Sequence, residues 1–557
     1  MRKLNMFVGL VCLLNLSAYG QYSGGDGLTE ETAYQINSVA DWTTLRNTTG
    51  DWDKYFILTA NLDFGGAALT PVAPDTSTSA GFQGTKFTGV FDGAGRTLRN
   101  FYIYLTGQSY VGLFGCVGSD GQIRNLGMRD VDITGLDYVG GLAGWNEGGI
   151  ITSCYARGAI SGNQKVGGLV GSNGGTITGC YTSWSVSGTS SYVGGLVGTS
   201  SGTITHSYAT GVVSGTDFYV GGLVGTSSGT ITYCYATGAV SGTYDVGGLA
   251  GKFSGTITYC YATGAVNGTF YVGGLSGRIE GGMIRGSYAT GAVSGTASTS
   301  SSHLYVGGLA GNSSGTITYC YATGTVCGTA SYSSSYCSVG GLVGLNSGTI
   351  LACYATGTVS GTASSSSFVG GLVGTSSGTI THCYATGTAS GTSSSVGGLV
   401  GRNDKGKIIH CYSLGKPNGT SSVGGLCGSK ITGGDYWDTG NFWDTQTSEI
   451  DTSAMGTGKL TDQMKTKSTF TGAGWDFVNV WTICEKTNYP RLLWQVNLGD
   501  WVCPEGVGFE DFAYFASRWL LTNCDPANND CGGADLNYDG QVNLLDFAVF
   551  SVNWLKH

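Results

Sequence analysis

The chain has 557 residues, 100 of them Gly and only 6 Pro, with 11% charged residues and a formal net charge of −9. No Gly-X-Y period runs through it, which excludes collagen, and a hydrophobic content of 41% excludes a disordered low-complexity chain. The acidic balance, 26 basic against 35 acidic residues, argues against a nucleic-acid binder, which carries a basic patch.

At the N-terminus, Arg2 and Lys3 precede the apolar run Met6 to Leu16, too short to span a bilayer. Ala18-Tyr19-Gly20 follows with small residues at cleavage-site positions. Residues 1–20 therefore read as a signal peptide, with the mature chain secreted or held at a bacterial cell surface. No membrane span is expected after its removal. Residues 21–110 are expected to form an N-terminal cap and the first irregular coils. Within them Ser38-Val39-Ala40-Asp41 opens a short amphipathic helix, with Val39, Trp42 and Leu45 at helical spacing.

From Val139 the string VGGLVG or a near copy recurs at Val166, Val193, Val220, Val246, Val272, Val306, Val339, Val369, Val396 and Val423. The spacings are 27, 27, 27, 26, 26, 34, 33, 30, 27 and 27, with a weaker copy at Val111. Each unit holds three strand-length runs rich in Val, Ile and Thr, separated by Gly, Ser and Thr clusters. Such a unit cannot bury a core alone, but stacked coils can. The pattern predicts an all-β parallel β-helix, right-handed, of about twelve coils over residues 111–430; at the strand spacing its length is about 58 Å.

One column holds only Cys or Ser, from Cys154 to Cys411, and predicts a narrow inward corner that tolerates free thiols. The next column is Tyr in all ten units, from Tyr155 to Tyr412. Strand alternation turns these rings outward, whereas a bulge between Ile and Cys would turn them inward; both readings stand. The long spacings place the inserts Ala297 to Leu304, Ala330 to Ser338 and Ala363 to Phe368 at one corner. They predict a Ser- and Tyr-rich ledge outside the core. Repeated Thr-Ile-Thr triplets leave a flat Thr array of the ice-binding kind as a further reading.

The units resemble GLUG motifs, found in secreted bacterial surface and adhesin-like proteins. The resemblance covers roughly Val111 to Lys430 and implies a β-helical stalk or binding rod without implying an enzyme.

Residues 431–495 crowd Tyr436, Trp437, Phe442, Trp443, Trp475 and Trp481 together, which predicts an aromatic cap over the last open coil. Residues 496–557 change in composition and show helical patterning. Asp535-Leu536-Asn537-Tyr538-Asp539-Gly540-Gln541-Val542-Asn543-Leu544-Leu545-Asp546 fits a calcium loop, with oxygen ligands at positions 1, 3, 5, 9 and 12 and Gly540 at the sharp turn. One calcium ion is expected, on Asp535, Asn537, Asp539 and Asp546, with the Gln541 carbonyl and a water at Asn543. A copy lies 35 residues upstream, where Asp500 and Asp511 remain but Val502 and Pro504 replace ligands. Phe512, Phe515 and Trp519 are expected to pack on Phe547, Phe550 and Trp554. The duplicated loop and helix resemble a type I dockerin, a small α-helical calcium-binding module. That resemblance implies a cohesin-like scaffold protein as partner.

A catalytic β-helix needs clustered carboxylates with a base or a cation. Between Val139 and Lys430 only Glu147, Asp217, Asp245, Glu280 and Asp404 are acidic. Arg278, Glu280 and Arg285 form the compact charged group outside the Arg402–Lys407 turn. The five His residues, His206, His303, His382, His410 and His557, are scattered. No catalytic residue is assigned. The cysteines predict local disulfides at Cys524–Cys531 and Cys327–Cys337; a zinc site lacks any Cys-x-x-Cys pair. The expected work is adhesion or non-catalytic binding at the cell surface, with polysaccharide as one ligand. The alternative is an accessory or carbohydrate-active component of the polysaccharide lyase or hydrolase type.

Overall fold

Two kinds of corner, repeated along the chain, bend it into turns. The first is the Gly-Gly step of VGGL. A Cβ on Gly247 would lie 2.0 Å from the Ala250 carbonyl oxygen, and one on Gly248 would lie 2.1 Å from that of Gly274 in the next turn. No side chain fits either place, so each turn from Val139 to Val423 spends two glycines here. The second corner is the residue before the Cys/Ser column, which is left-handed: Tyr233 has φ 53°, Tyr259 52°, Tyr319 56° and His382 53°. These corners cut the three expected runs into five short strands per turn, for example Phe218–Gly221, Val224–Ser227, Thr230–Thr232, Tyr235–Ala236 and Val240–Ser241.

The coordinates are a computed structural model and describe residues 21–297, 303–332, 336–392, 395–431, 437–496, 499–500, 502–503, 507–524, 531, 534–536 and 539–554. The expected signal peptide 1–20 and Pro504, Asn537, Tyr436 and His557 lie outside the described residues. Each strand pairs in parallel with its counterpart one turn on, so Ile204, Ile231 and Ile257 stand in register. The result is a parallel β-solenoid of about twelve turns, with sheets of 15, 12 and 11 strands along three of its faces. Among the described residues no helix is long and apolar enough to cross a membrane.

The interior is built from columns. In one turn Val220, Leu223, Val224, Ile231, Cys234 and Val240 are all at most 1% exposed, and each such aliphatic side chain contributes about 1.5–3 kcal/mol on burial. The left-handed corner sets the phase: Ile points in, Thr out, and after the corner Cys points in, Tyr out and Ala in. The outward reading of the Tyr column therefore holds. In the Cys column, Cys260 Sγ accepts the Cys234 N–H at 3.4 Å and itself reaches the Thr258 carbonyl at 3.3 Å. Ser207 Oγ does the same for Cys180 at 3.0 Å and Thr205 at 2.8 Å. A thiol and a hydroxyl are interchangeable at this joint, which is why the column accepts both. All eight cysteines are unbridged, and burial pushes the Cys154 and Cys411 thiols up.

The expected Cys524–Cys531 disulfide is present. Cys327–Cys337 is not formed: Cys327 lies on the exposed face of its strand and Cys337 is buried. Cys484 pairs instead with Cys503, a link between the aromatic segment and the C-terminal region that the spacing did not suggest. The inserts also differ from expectation. Their stems lengthen two strand columns, and Ala297, Leu304, Ala330, Cys337 and Ala363 are buried, so these residues belong to the core.

At the start, Ser38 and Asp41 close a capping box on the helix Val39–Asn47. Trp42 meets Phe64, Phe91 and Phe114 edge-on over the first turn, while Val39 is 41% exposed and takes no part.

Candidate functional site

The outward tyrosines form one continuous ladder. From Tyr155 to Tyr412 successive ring centroids lie 4.7–5.1 Å apart, with interplanar angles of 3–12°. Ring faces are occupied by neighbouring rings, so the ladder offers edges and hydroxyls rather than open faces. At its N-terminal end Arg157 lies over Tyr155 and Tyr181, and Arg129 Nε donates to the Tyr155 hydroxyl at 3.2 Å.

A second, broken ladder runs beside it at the left-handed corner. His206, Tyr233 and Tyr259 stack at 5.1 and 5.3 Å, and further along His382 and His410 stack at 5.3 Å. Between Tyr259 and Tyr319 the corner residue is Gly286, so one ring is missing. A Cβ there would touch the Tyr259 ring at 2.7 Å.

The aromatic segment does more than close the end of the rod. It folds back along the side and covers the last rungs of the Tyr ladder. Trp494 Nε1 donates to the Ala352 carbonyl at 3.0 Å, Tyr412 donates to the Pro490 carbonyl at 2.6 Å, and Tyr384 shares a hydrogen bond with Gln495. Trp475 and Trp481 pack against Tyr412 at interplanar angles of 38° and 53°, and Trp481 Nε1 donates to His382 Nδ1 at 3.4 Å.

The missing ring and the edge of this cover together leave a cleft of about 760 Å³, within the ~300–1,000 Å³ range of small-ligand sites. Tyr259, Tyr319, Tyr321 and Trp494 supply its aromatic walls, and Arg285, His382 and Asn479 its polar groups. Burial, and behind it the neighbouring His410, holds His382 below the usual imidazole range. Burial and the adjoining Tyr354 and Tyr288 push the Tyr321 phenol up to about 12, so it is a neutral donor at ordinary pH. The glycine at 286 between Tyr259 and Tyr319 was readable in the sequence; the covering Trp494 was not.

The charged group on the rod is not the one expected. Arg278 Nε binds Asp245 at 2.9 Å and its Nη1 meets Glu280 at 3.2 Å, while Lys252 binds Glu280 at 2.8 Å. Arg285 stands apart, over the Tyr319 ring at 5.4 Å. Asp245 is fully buried, and burial pushes it up to about 6 despite Arg278. The cluster spans two turns, so spacing along one turn could not reveal it.

In the C-terminal region, carboxylate oxygens of Asp535, Asp539 and Asp546 converge within 4.8 Å of one another. Asp535 accepts the N–H groups of Asp539 and Gly540, and Gly540 turns the chain at φ 89°. Asn543 caps the helix Leu544–Asn553, and Asp546 accepts the N–H groups of Leu536 and Asn543. Gln541 is exposed at the rim of this loop. The upstream copy is held differently. Asp511 accepts the Val502 and Gly508 N–H groups, Asp500 lies 3.9 Å from Arg491, and Cys503 is tied to Cys484. Phe512 and Phe515 pack on Phe547 and Phe550, whereas Trp519 turns to Phe515 and is 41% exposed.

Seven copies of the GLUG motif match the chain, at residues 135–161, 216–241, 268–294, 302–326, 335–360, 366–390 and 392–416. The chain is similar to halomucin of Haloquadratum walsbyi, with 32% identity over 150 residues, covering 25% of this chain and 2% of that protein. It is also similar to a "Putative Gly-rich membrane protein" of Evansella cellulosilytica, with 33% identity over 135 residues, covering 23% of this chain and 15% of that protein. The matched chain thus spans a small fraction of either relative's length. Among solved structures it is similar to a "putative immunoglobulin A1 protease" from Bacteroides ovatus, at 21% identity and a TM-score of 0.31, covering 56% of this chain and 80% of that one.

Proposed function

We propose that this protein is a non-catalytic binding rod of the cell surface, that it holds polysaccharide, and that its tail attaches it to another protein. The observation that carries the reading is the cleft at Gly286. It combines open aromatic faces with a few converging polar groups, the arrangement that packs a sugar ring and fixes its hydroxyls. The GLUG repeats, and relatives named as a halomucin and as a membrane protein, support a surface location.

Gly286→Tyr tests the reading directly. The corner already accepts Tyr at the same φ in neighbouring turns, so once the exposed Tyr259 ring swings aside from the new Cβ the substitution should fill the cleft and leave the rod folded, which a thermal melt checks. Saccharide binding on a glycan array should disappear, and unchanged binding would remove the cleft from the reading.

The tail carries the attachment. Its convergent carboxylates suit a hard cation that takes six to eight oxygens. Asp535, Asp539 and Asp546 would hold calcium, joined by the Gln541 carbonyl and a water at Asn543, while Asn537 lies outside the described residues; bound there, the ion would fix the loop. Phe509, Leu520, Leu544, Leu545 and Val552 are each at least 60% exposed, an apolar surface of the kind that meets a protein partner. A cohesin-like domain is the proposed partner. Calcium at ~100 times its Kd should stabilise the tail by about 2.7 kcal/mol and leave the solenoid unchanged. Calorimetry on the full chain should find one ion. Two ions would overturn the account of the upstream loop, and no response would remove the dockerin-like reading.

A further inference from the structure

We propose that the cleft at Gly286 selects an acidic saccharide, a uronate whose carboxylate is taken by Arg285. This deepens the polysaccharide reading above and rests on it. Three observations converge. Arg285 lines the cleft, is exposed, and makes no ion pair among the described residues; it is held only over the Tyr319 ring. Among the described residues no carboxylate lines the cleft. Asp476, the acid of the adjoining segment, is already engaged by the Asn479 amide at 2.9 Å and by the N–H groups of Val478 and Asn479.

The surroundings sharpen the charge. From Gly286 to Gly401 the rod contains no Asp, Glu, Lys or Arg. Arg285 is therefore the one formal charge that the rod presents to this cleft. The cations that precede it in the chain, Arg278 and Lys252, lie on a different sheet and are paired with Asp245 and Glu280. A guanidinium whose fork is not occupied recognises a planar carboxylate with two parallel hydrogen bonds. The walls then fit the rest of a sugar acid. Tyr259 and Trp494 can cover the apolar face of a pyranose ring, and the Tyr321 hydroxyl and Asn479 can meet its hydroxyls.

The experiment compares trigalacturonate with its methyl ester, which keeps the ring and removes the charge, by titration calorimetry on the full chain. The acid should bind and the ester should bind about tenfold to hundredfold more weakly. Arg285→Gln should bring the acid down to the level of the ester, and Arg285→Lys should restore part of the difference. Arg157→Gln, on the same side of the rod but several turns away, should change nothing. Equal binding of acid and ester, or no effect of Arg285→Gln, would overturn the inference while leaving saccharide binding in place. Preference for a sulfated galactan over both would overturn the carboxylate assignment. Failure of every saccharide tested would overturn this inference and the reading it rests on together.

Discussion

Tyr235 and Tyr384 occupy the same column and stack on their next neighbours at 4.9 and 5.0 Å. Around Tyr235 the ring edge faces solvent. Around Tyr384 the aromatic segment closes over it, leaving 6% exposed and bonding its hydroxyl to Gln495. One sequence column thus serves as a surface over most of the rod and as a core in the last two rungs, Tyr384 and Tyr412. The difference teaches that a repeat fixes where a side chain points, while a distant segment decides whether that direction is inside or outside.

The comparison can be broken most severely at Trp481, which is fully buried between the cover and the ladder. Trp481→Ala should cost about 4 kcal/mol, seen as early loss of the cover in chemical denaturation while the first turns stay folded. A single shifted transition for the whole chain would show that the two halves are not separable. Next come paired ring deletions. Tyr384→Ala should cost about 3 kcal/mol and Tyr235→Ala about 1 kcal/mol; equal losses would mean that the cover adds nothing.

The smallest effect is in pH. Burial holds His382 and His410 below their usual range in the covered half. Unfolding takes up protons there, so its stability should fall as pH drops through about 6.5. Asp245, in the open half, is raised to about 6. Its contribution is fully present below about pH 4 and is lost as pH rises to about 6. Thermal melts of Asp245→Asn and His382→Phe should each flatten only their own limb.

Much of the rod was legible in the sequence because its columns repeat. The turn length, the buried Ile and Val columns and the Cys/Ser corner all follow from counting. The direction of the Tyr column did not, because the phase changes at a left-handed residue that is usually not Gly. Ser153, His206, Tyr233 and His382 give no hint of φ > 0, and Gly179 and Gly286 are the exceptions. The cleft was half legible for a different reason. Gly286 and Arg285 stand out against their columns, but Trp494 meets Ala352 across 142 residues, and no local pattern carries that contact. Asp245 and Lys252 were missed in the charged cluster because their partners lie one turn away.

The joint at the Cys/Ser corner has a consequence for how such a molecule changes over generations. Apart from the step between Ser287 and Cys320, each level within the column offers the same acceptor to the level before it and the same N–H to the level after. A duplicated or deleted turn therefore meets a ready-made seam at both edges, with no new interface to invent. Length in this rod is inherited as a count. The reach between its helical start and its tail can lengthen or shorten by one whole step at a time, while the cleft beside Gly286 keeps its own neighbours.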